Sequence, residues 1–349
     1  MGWIAVTGDE LSWHCPRALG SQAQMGDLLP RGTLMVEAAW PEDRLSRVFA
    51  GFSRRAPWPA RLSLMAVPGE GLVLEHGQGT HVLRLALPLP DVPPGEVLRL
   101  TWAWDSPAGR GRLAAERENG MVLAFRHVAA PPPLTLGDVR VLCGGAKTGA
   151  RAVSDEVEPL GPMPGLDGAT LIDTPEGPRP LAQLRTGDTV RTRGGAVVPV
   201  LARLERQVPA LGACAPVRVR APWFGLRQDM RVAAGQGLVI GGSDVAYLFG
   251  CEEVLVPVRC LLGGPAAAPD PEGPLETWHQ LLLPGNEVLR GSGADLDSLW
   301  IGRLRRQRDL LPETLLAQVP ASLLPEHGGR GLKVLRPFEA MTLVRARAA

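Results

Sequence analysis

The stretch Val82–Asp105, VLRLALPLPDVPPGEVLRLTWAWD, constrains the fold more than any other part of this chain. Leu83, Leu85 and Leu87 alternate with Val82, Arg84 and Ala86. Leu98, Leu100, Trp102 and Trp104 then alternate with Arg99, Thr101 and Ala103. A period of two is that of a half-buried antiparallel strand, whose side chains point to opposite faces in turn. Between the runs, Pro93 and Pro94 fix φ and Gly95 is free to take positive φ, so the pair reads as two strands and a turn. TLMVEAAW, RLSLMAV, GLVLEHG, MVLAFRHV and LGDVRVLCG repeat the pattern through the first 145 residues, while helical periodicity is nearly absent. Short strands punctuated this often predict a β-sandwich over residues 1–145, with Trp102 and Trp104 on its core face.

A chain of 349 residues is too long for one ordinary core and suits two domains. Residues 146–163, AKTGARAVSDEVEPLGPM, are small and polar and read as the linker. Beyond it, ATLIDT, DTVRT, VPVLARL, PVRVRA, DMRVAA, GLVIGG, EVLVPVRCLL, WHQLLLP, NEVLRG and MTLVRA are further strands of a second, mostly β domain over 164–349. PRPLAQLR reads as a short turn, and LPETLLAQVPASLLPEHG as one or two small helices broken at Pro320.

Composition excludes several functions. Lys and Arg number 37 against 36 Asp and Glu, a net charge of +1 without blocks of one sign, so no footprint for nucleic acid is present. No run of about 18 apolar residues exists, so no membrane span is expected. The start, MGWIAVTGDELSW, lacks the basic flank and apolar stretch of a secretory signal. That leaves a cytoplasmic location or export by a non-classical route. Five scattered cysteines (Cys15, Cys143, Cys214, Cys251, Cys260) show no zinc or disulfide spacing and are expected as reduced, mainly buried thiols; no metal and no cofactor is implied. Glu75, His76 and His81 lack the HExxH spacing and are expected in a solvated loop. With 42 Gly and 34 Pro, the composition is that of a GC-rich bacterial genome.

Five blocks in order carry a resemblance across about 165–345. They are GATLIDTPEGPRPLAQLRTGDTVRT, APVRVRAPWFGLRQDMRVAAGQGLVI, LFGCEEVLVPVRCLLG, ETWHQLLLPGNEVLRGSGADLDSLW and LRPFEAMTLV. The second half resembles a bacterial Hint (Hedgehog/intein) domain, which implies an all-β horseshoe. The resemblance implies autoprocessing: a first-position Cys attacks the preceding carbonyl to give a thioester, and a His protonates the departing amide nitrogen. Carried across, the Cys falls on Gly165, the Ser/Thr of the histidine motif on Ala233 and its His on Gln236. Two further histidines fall on Gln280 and Asn286, and the last block resembles the closing strand. The resemblance therefore implies a degenerate Hint scaffold, a pseudo-enzyme that has lost self-cleavage and serves as a non-catalytic interaction or structural module.

Two alternatives stay open. Asp167, Thr170 and His279 are the substitutes from which unorthodox autoprocessing near Pro164–Gly168 would draw. Asp167-Gly168 also reads as a plain turn, and a one-residue step puts His279 on the strand face opposite Gln280. The first domain resembles, more weakly, the concanavalin-like sandwich of laminin-G and lectin modules. That resemblance implies a carbohydrate- or surface-binding protein, with Trp58, Asp105, Glu118 and Asn119 as ligand-binding candidates. The partner, protein or glycan, is unknown on either reading.

Overall fold

The computed structural model describes residues 2–8, 12–15, 18, 24–43, 45–56, 58–144, 149–329 and 331–348. Two compact units divide the chain, Met1–Gly161 and Pro162–Ala349.

The first unit holds β1 (Trp3–Thr7), β2 (Ser12–His14), β3 (Leu28–Leu29), β4 (Arg31–Ala39), β5 (Arg47–Arg54), β6 (Ala60–Val67) and β7 (Gly71–Gln78). It continues with β8 (His81–Leu87), β9 (Val97–Asp105), β10 (Arg110–Arg117), β11 (Val122–Ala129), β12 (Leu134–Thr135), helix α1 (Leu136–Gly144) and β13 (Ala150–Ser154). Seven strands form one antiparallel sheet in the order β11-β10-β9-β4-β13-β1-β2, and four form another, β5-β6-β7-β8. Leu34, Leu100, Trp102, Trp104 and Leu113 of the first meet Phe52, Leu62, Leu64, Leu72 and Leu74 of the second in one core, so the unit is a β-sandwich. Trp102 and Trp104 are fully buried, as their alternation predicts.

The outer face of the large sheet is buried too, which the alternation does not predict. Arg99 and Glu37 lie there as a buried ion pair. Residues 155–161 lie across the same face: Glu158 donates its N–H to Thr33 Oγ1, Arg112 donates to the Glu158 carbonyl, and Gly161 N–H donates to Glu116. Much of the stretch expected as a linker is therefore structure. Residues 146–148 lie outside the described residues, but β13 pairs on both sides, with β4 and β1. Arg151-Ala-Val-Ser154 supplies the extended backbone those two strands need, and small residues fit a tightly covered sheet.

LGDVRVLCG is a helix, not a strand. Thr135 Oγ1 accepts the Asp138 N–H and Asp138 accepts the Thr135 N–H, which closes a capping box, and Val139, Leu142 and Cys143 form its buried stripe. EHGQGTH is a strand hairpin across β7 and β8 rather than a solvated loop, and His76 is buried in the sandwich.

The second unit begins with β14 (Leu171–Thr174), β15 (Gly177–Pro180), β16 (Thr189–Arg191), β17 (Val197–Pro199), β18 (Ala202–Pro209), β19 (Pro216–Val219) and β20 (Met230–Ala233). It continues with β21 (Gly237–Gly241), α2 (Ser243–Phe249), β22 (Glu253–Pro257), β23 (Ala267–Pro269), β24 (Leu275–Leu282), β25 (Val288–Gly291), β26 (Ala294–Asp297), β27 (Lys333–Val334) and α3 (Pro337–Ala348). Its main sheet runs β15-β14-β25-β26-β21-β22-β27; β18 pairs with β24, and β20-β19-β23 form a third layer around a shared apolar core. The expected closing strand is α3. Pro337 opens it, Glu339 accepts the Arg336 N–H, and Ala340, Leu343 and Val344 are buried at helical spacing. The expected helices within 311–328 are three single turns of 3-10 helix, because Pro312, Pro320 and Pro325 deny the backbone the donors a longer helix needs. Among the described residues, no helix is long and apolar enough to cross a membrane.

Candidate functional site

The residues that lead into the second unit are threaded between two of its strands. Gly165 O accepts the Ala233 N–H at 2.8 Å, at the end of β20. Leu166 exchanges both backbone hydrogen bonds with His279 of β24, at 3.0 and 2.8 Å. Leu166 itself is fully buried, so the Pro164–Gly165 peptide is fixed at the start of a strand-like segment within the core. Arg231 braces this floor: its guanidinium lies over the Trp278 ring, pairs with Glu276, and faces Asp167 at 3.7 Å.

Four of the positions that the sequence resemblance sets against autoprocessing residues meet here. A Cβ placed on Gly165 would stand 2.8 Å from Gln236 Oε1 and 3.6 Å from the Ala233 Cβ. Gln236 and Gln280 are both buried and joined by a hydrogen bond from Gln280 Nε2 to Gln236 Oε1 at 2.9 Å. Gln236 Nε2 donates to the carbonyls of Gly237 and Asp297 at 3.0 Å each, and Gln280 Oε1 accepts the Leu281 N–H at 3.2 Å. The two amides thus satisfy each other and the surrounding backbone, as buried polar groups must. Neither amide titrates, so the pair offers no acid, base or nucleophile at any ordinary pH. Asn286 stands apart, exposed on the loop after β24, where it donates to the carbonyls of Gly328 and Gly329.

His279 points away from the glutamines, as the one-residue step predicts. Its Nε2 would lie 2.8 Å from a Cβ on Gly168, so this close approach of an imidazole admits only glycine. Arg203 Nη1 lies 2.9 Å from His279 Nδ1, and a guanidinium has no lone pair to offer, so Nδ1 accepts and the ring proton sits on Nε2. Burial, with Arg203 adding to it, holds the imidazole below its usual pKa against the opposing pull of Glu205 and Asp167. Asp167 makes the turn that its Asp-Gly sequence predicts, accepting the Ala169 N–H at 2.7 Å and the Thr170 N–H at 3.0 Å. Thr170 Oγ1 is buried and has no hydrogen-bond partner among the described residues.

Sequence reasoning singled out neither Arg203 nor Arg231. Arg203 lies on the strand paired with that of His279 but 76 residues away in sequence, and so carries no local signal of which lone pair it will occupy. Cys214, one of the thiols expected to be buried, is buried with Val208, Ala233 and Trp278, and Met163 packs on the edge of that cluster beside the lead-in segment.

The ligand-binding candidates of the sandwich do not converge. Asp105 closes the β9–β10 turn by accepting the Ala108 N–H, whereas Glu118 and Asn119 lie in the β10–β11 turn, where Asn119 accepts the Met121 N–H. Those turns sit at opposite ends of β10, separated by the eight residues of Arg110–Arg117. Trp58 lies under the Arg54 guanidinium, at 4.9 Å, and that guanidinium is itself bound to Asp138. Among the described residues, no group of three or more His, Cys, Asp or Glu is arranged to hold a metal ion.

Residues 164–303 match the family model of the Hint domain, and the second unit accordingly carries a Hint domain. No curated protein matches the chain. Among solved structures, the chain is similar to the native heptameric SAP-like pentraxin from Limulus polyphemus. The two are 14% identical over 38% of this chain and 67% of the pentraxin, with a TM-score of 0.23, too low to support any inference.

Proposed function

We propose that the Hint domain of this chain is a non-catalytic interaction or structural module in which self-cleavage has been lost. The observation that supports this reading is the Gly165–Gln236 fit. Where the resemblance places a thiol there is no side chain, and the space of its Cβ is closed by an amide oxygen 2.8 Å away. Acyl transfer needs an attacking atom and a proton donor for the leaving nitrogen. The glutamine pair supplies neither, and its hydrogen bonds are already spoken for within the core.

A second reading, autoprocessing at Asp167–Gly168, draws on one observation: His279 lies against Gly168 with Asp167 beside it. Against it, the basic nitrogen of His279 is occupied by Arg203, so the ring cannot take a proton from Thr170 or from the Gly168 N–H without first releasing that contact.

Intact-mass spectrometry separates the two. Incubated with dithiothreitol or hydroxylamine, the purified chain is expected to remain at 37.2 kDa. Fragments cut between residues 163 and 168 would establish the second reading and end the first.

A further inference from the structure

We infer that a pocket on the Hint domain, between β15, the loop after the Leu181–Gln183 turn, and β18, is a binding site for a small phosphate monoester. The pocket has a volume of about 610 Å³ and is lined by Arg179, Arg185 and Arg203 with a single carboxylate, Asp188. Three arginines from three separate elements line one cavity, and a guanidinium is the planar fork that matches phosphate oxygens.

Two of the three are held in place, and one is free. Asp188 Oδ2 accepts both Arg179 Nη1 at 3.3 Å and the Arg185 backbone N–H at 2.9 Å, so this carboxylate anchors the loop and steadies Arg179. Arg203 is braced by Glu205 at 2.8 Å and by His279 Nδ1 at 2.9 Å. Arg185 is exposed, and among the described residues its guanidinium has no side-chain partner. Anchored groups fix a ligand's orientation because their own rotamers are held, and the Arg185 guanidinium is left to pair with the ligand.

Donor geometry selects the ligand class. Three arginines face two carboxylates, Asp188 in the lining and Glu205 paired with Arg203, which leaves one positive charge in excess. A phosphate monoester presents three strong acceptor oxygens to the arginine forks, where a carboxylate presents two. The volume exceeds what a bare phosphate fills and falls in the usual range for small-molecule sites, which leaves room for an organic group. The site stands whether or not the domain cleaves itself.

The test is calorimetric titration of the full chain with glycerol phosphate, inorganic phosphate and acetate, in wild type and in Arg185→Gln. Saturable binding of glycerol phosphate is expected, weakened by added salt, with affinity lowered roughly tenfold or more by Arg185→Gln. Arg308→Gln, at an exposed position of the 3-10 region, controls for loss of one positive charge and should bind as wild type does. Circular dichroism of Arg185→Gln should match wild type, since that side chain holds nothing in place. Absence of saturable binding to wild type, equal affinity in Arg185→Gln, or acetate binding as tightly as the phosphates would overturn the assignment.

Discussion

Gly165 and Gln236 are fitted to each other, and so are Gly168 and His279. Replacing Gly165 by Ala forces a methyl group to within 2.8 Å of Gln236 Oε1, in a core that cannot yield without breaking two amide hydrogen bonds. We expect Gly165→Ala to lower stability by about 1–3 kcal/mol. In urea denaturation, the cost should shrink when Gln236 is shortened to Ser in the same chain, which a double-mutant cycle would register. In the sandwich, His76 makes a different prediction. Its burial, with a smaller opposing pull from Asp138, lowers its pKa from 6.5 to about 4. The unfolded chain therefore takes up a proton that the folded one refuses between those values, so stability rises with pH from about 4 to 6.5 and is lost on acidification through that window. The full span is worth roughly 3 kcal/mol. Measured at pH 4.5 and 7, wild type should lose more than a His76→Met variant; equal losses would refute the assignment. The residues at the positions the resemblance aligns are legible in the sequence. The packing around Gly165 is not, because Gln236 and Gln280 meet across 44 residues and spacing says nothing of which way an amide turns.

At the scale of elements, strands were read well and helices poorly. β9 announces itself through Leu98, Leu100, Trp102 and Trp104, whose alternation survives as a packed face. α1 is short and carries Val139 and Val141, and α3 holds the run Met341-Thr-Leu-Val344, stretches that suit a strand as well as a helix until tertiary packing decides. The deciding signals were local and polar: Thr135 three residues before Asp138, and Pro337 just ahead of Glu339. Thr135→Ala should cost about 1 kcal/mol by removing the cap. Asp138→Ala should cost more, because the same carboxylate is buried, accepts the Thr135 N–H and pairs with Arg54. Thermal denaturation of the two variants should give that order. At the far end of the chain, Arg347 ties α3 to Asp244 of α2, but both partners are about one-quarter exposed. Arg347→Ala is accordingly expected to cost no more than about 1 kcal/mol.

For the molecule as a whole, the consequential element is β13. The linker expected over 146–163 was inferred from polarity and small side chains, and those properties describe a covered central strand equally well once the outer face of the sheet is overlaid by residues 155–161. A fragment of residues 1–161 should therefore give the dispersed amide spectrum of a folded sandwich, while 1–145 should not, since it leaves β4 and β1 without the strand that joins them. The same placement sets an order of events during synthesis. Trp3 pairs with Ser154, almost the greatest separation the unit permits, so β1 and β2 cannot join the sheet until the roughly 150 residues that follow them have left the ribosome. Until then the nascent chain carries an open strand edge at β4 and an unattached apolar segment, Trp3-Ile-Ala-Val6. Within this unit the strand made first is among the last to be folded, and any helper that shields the chain in the cell has its work to do there.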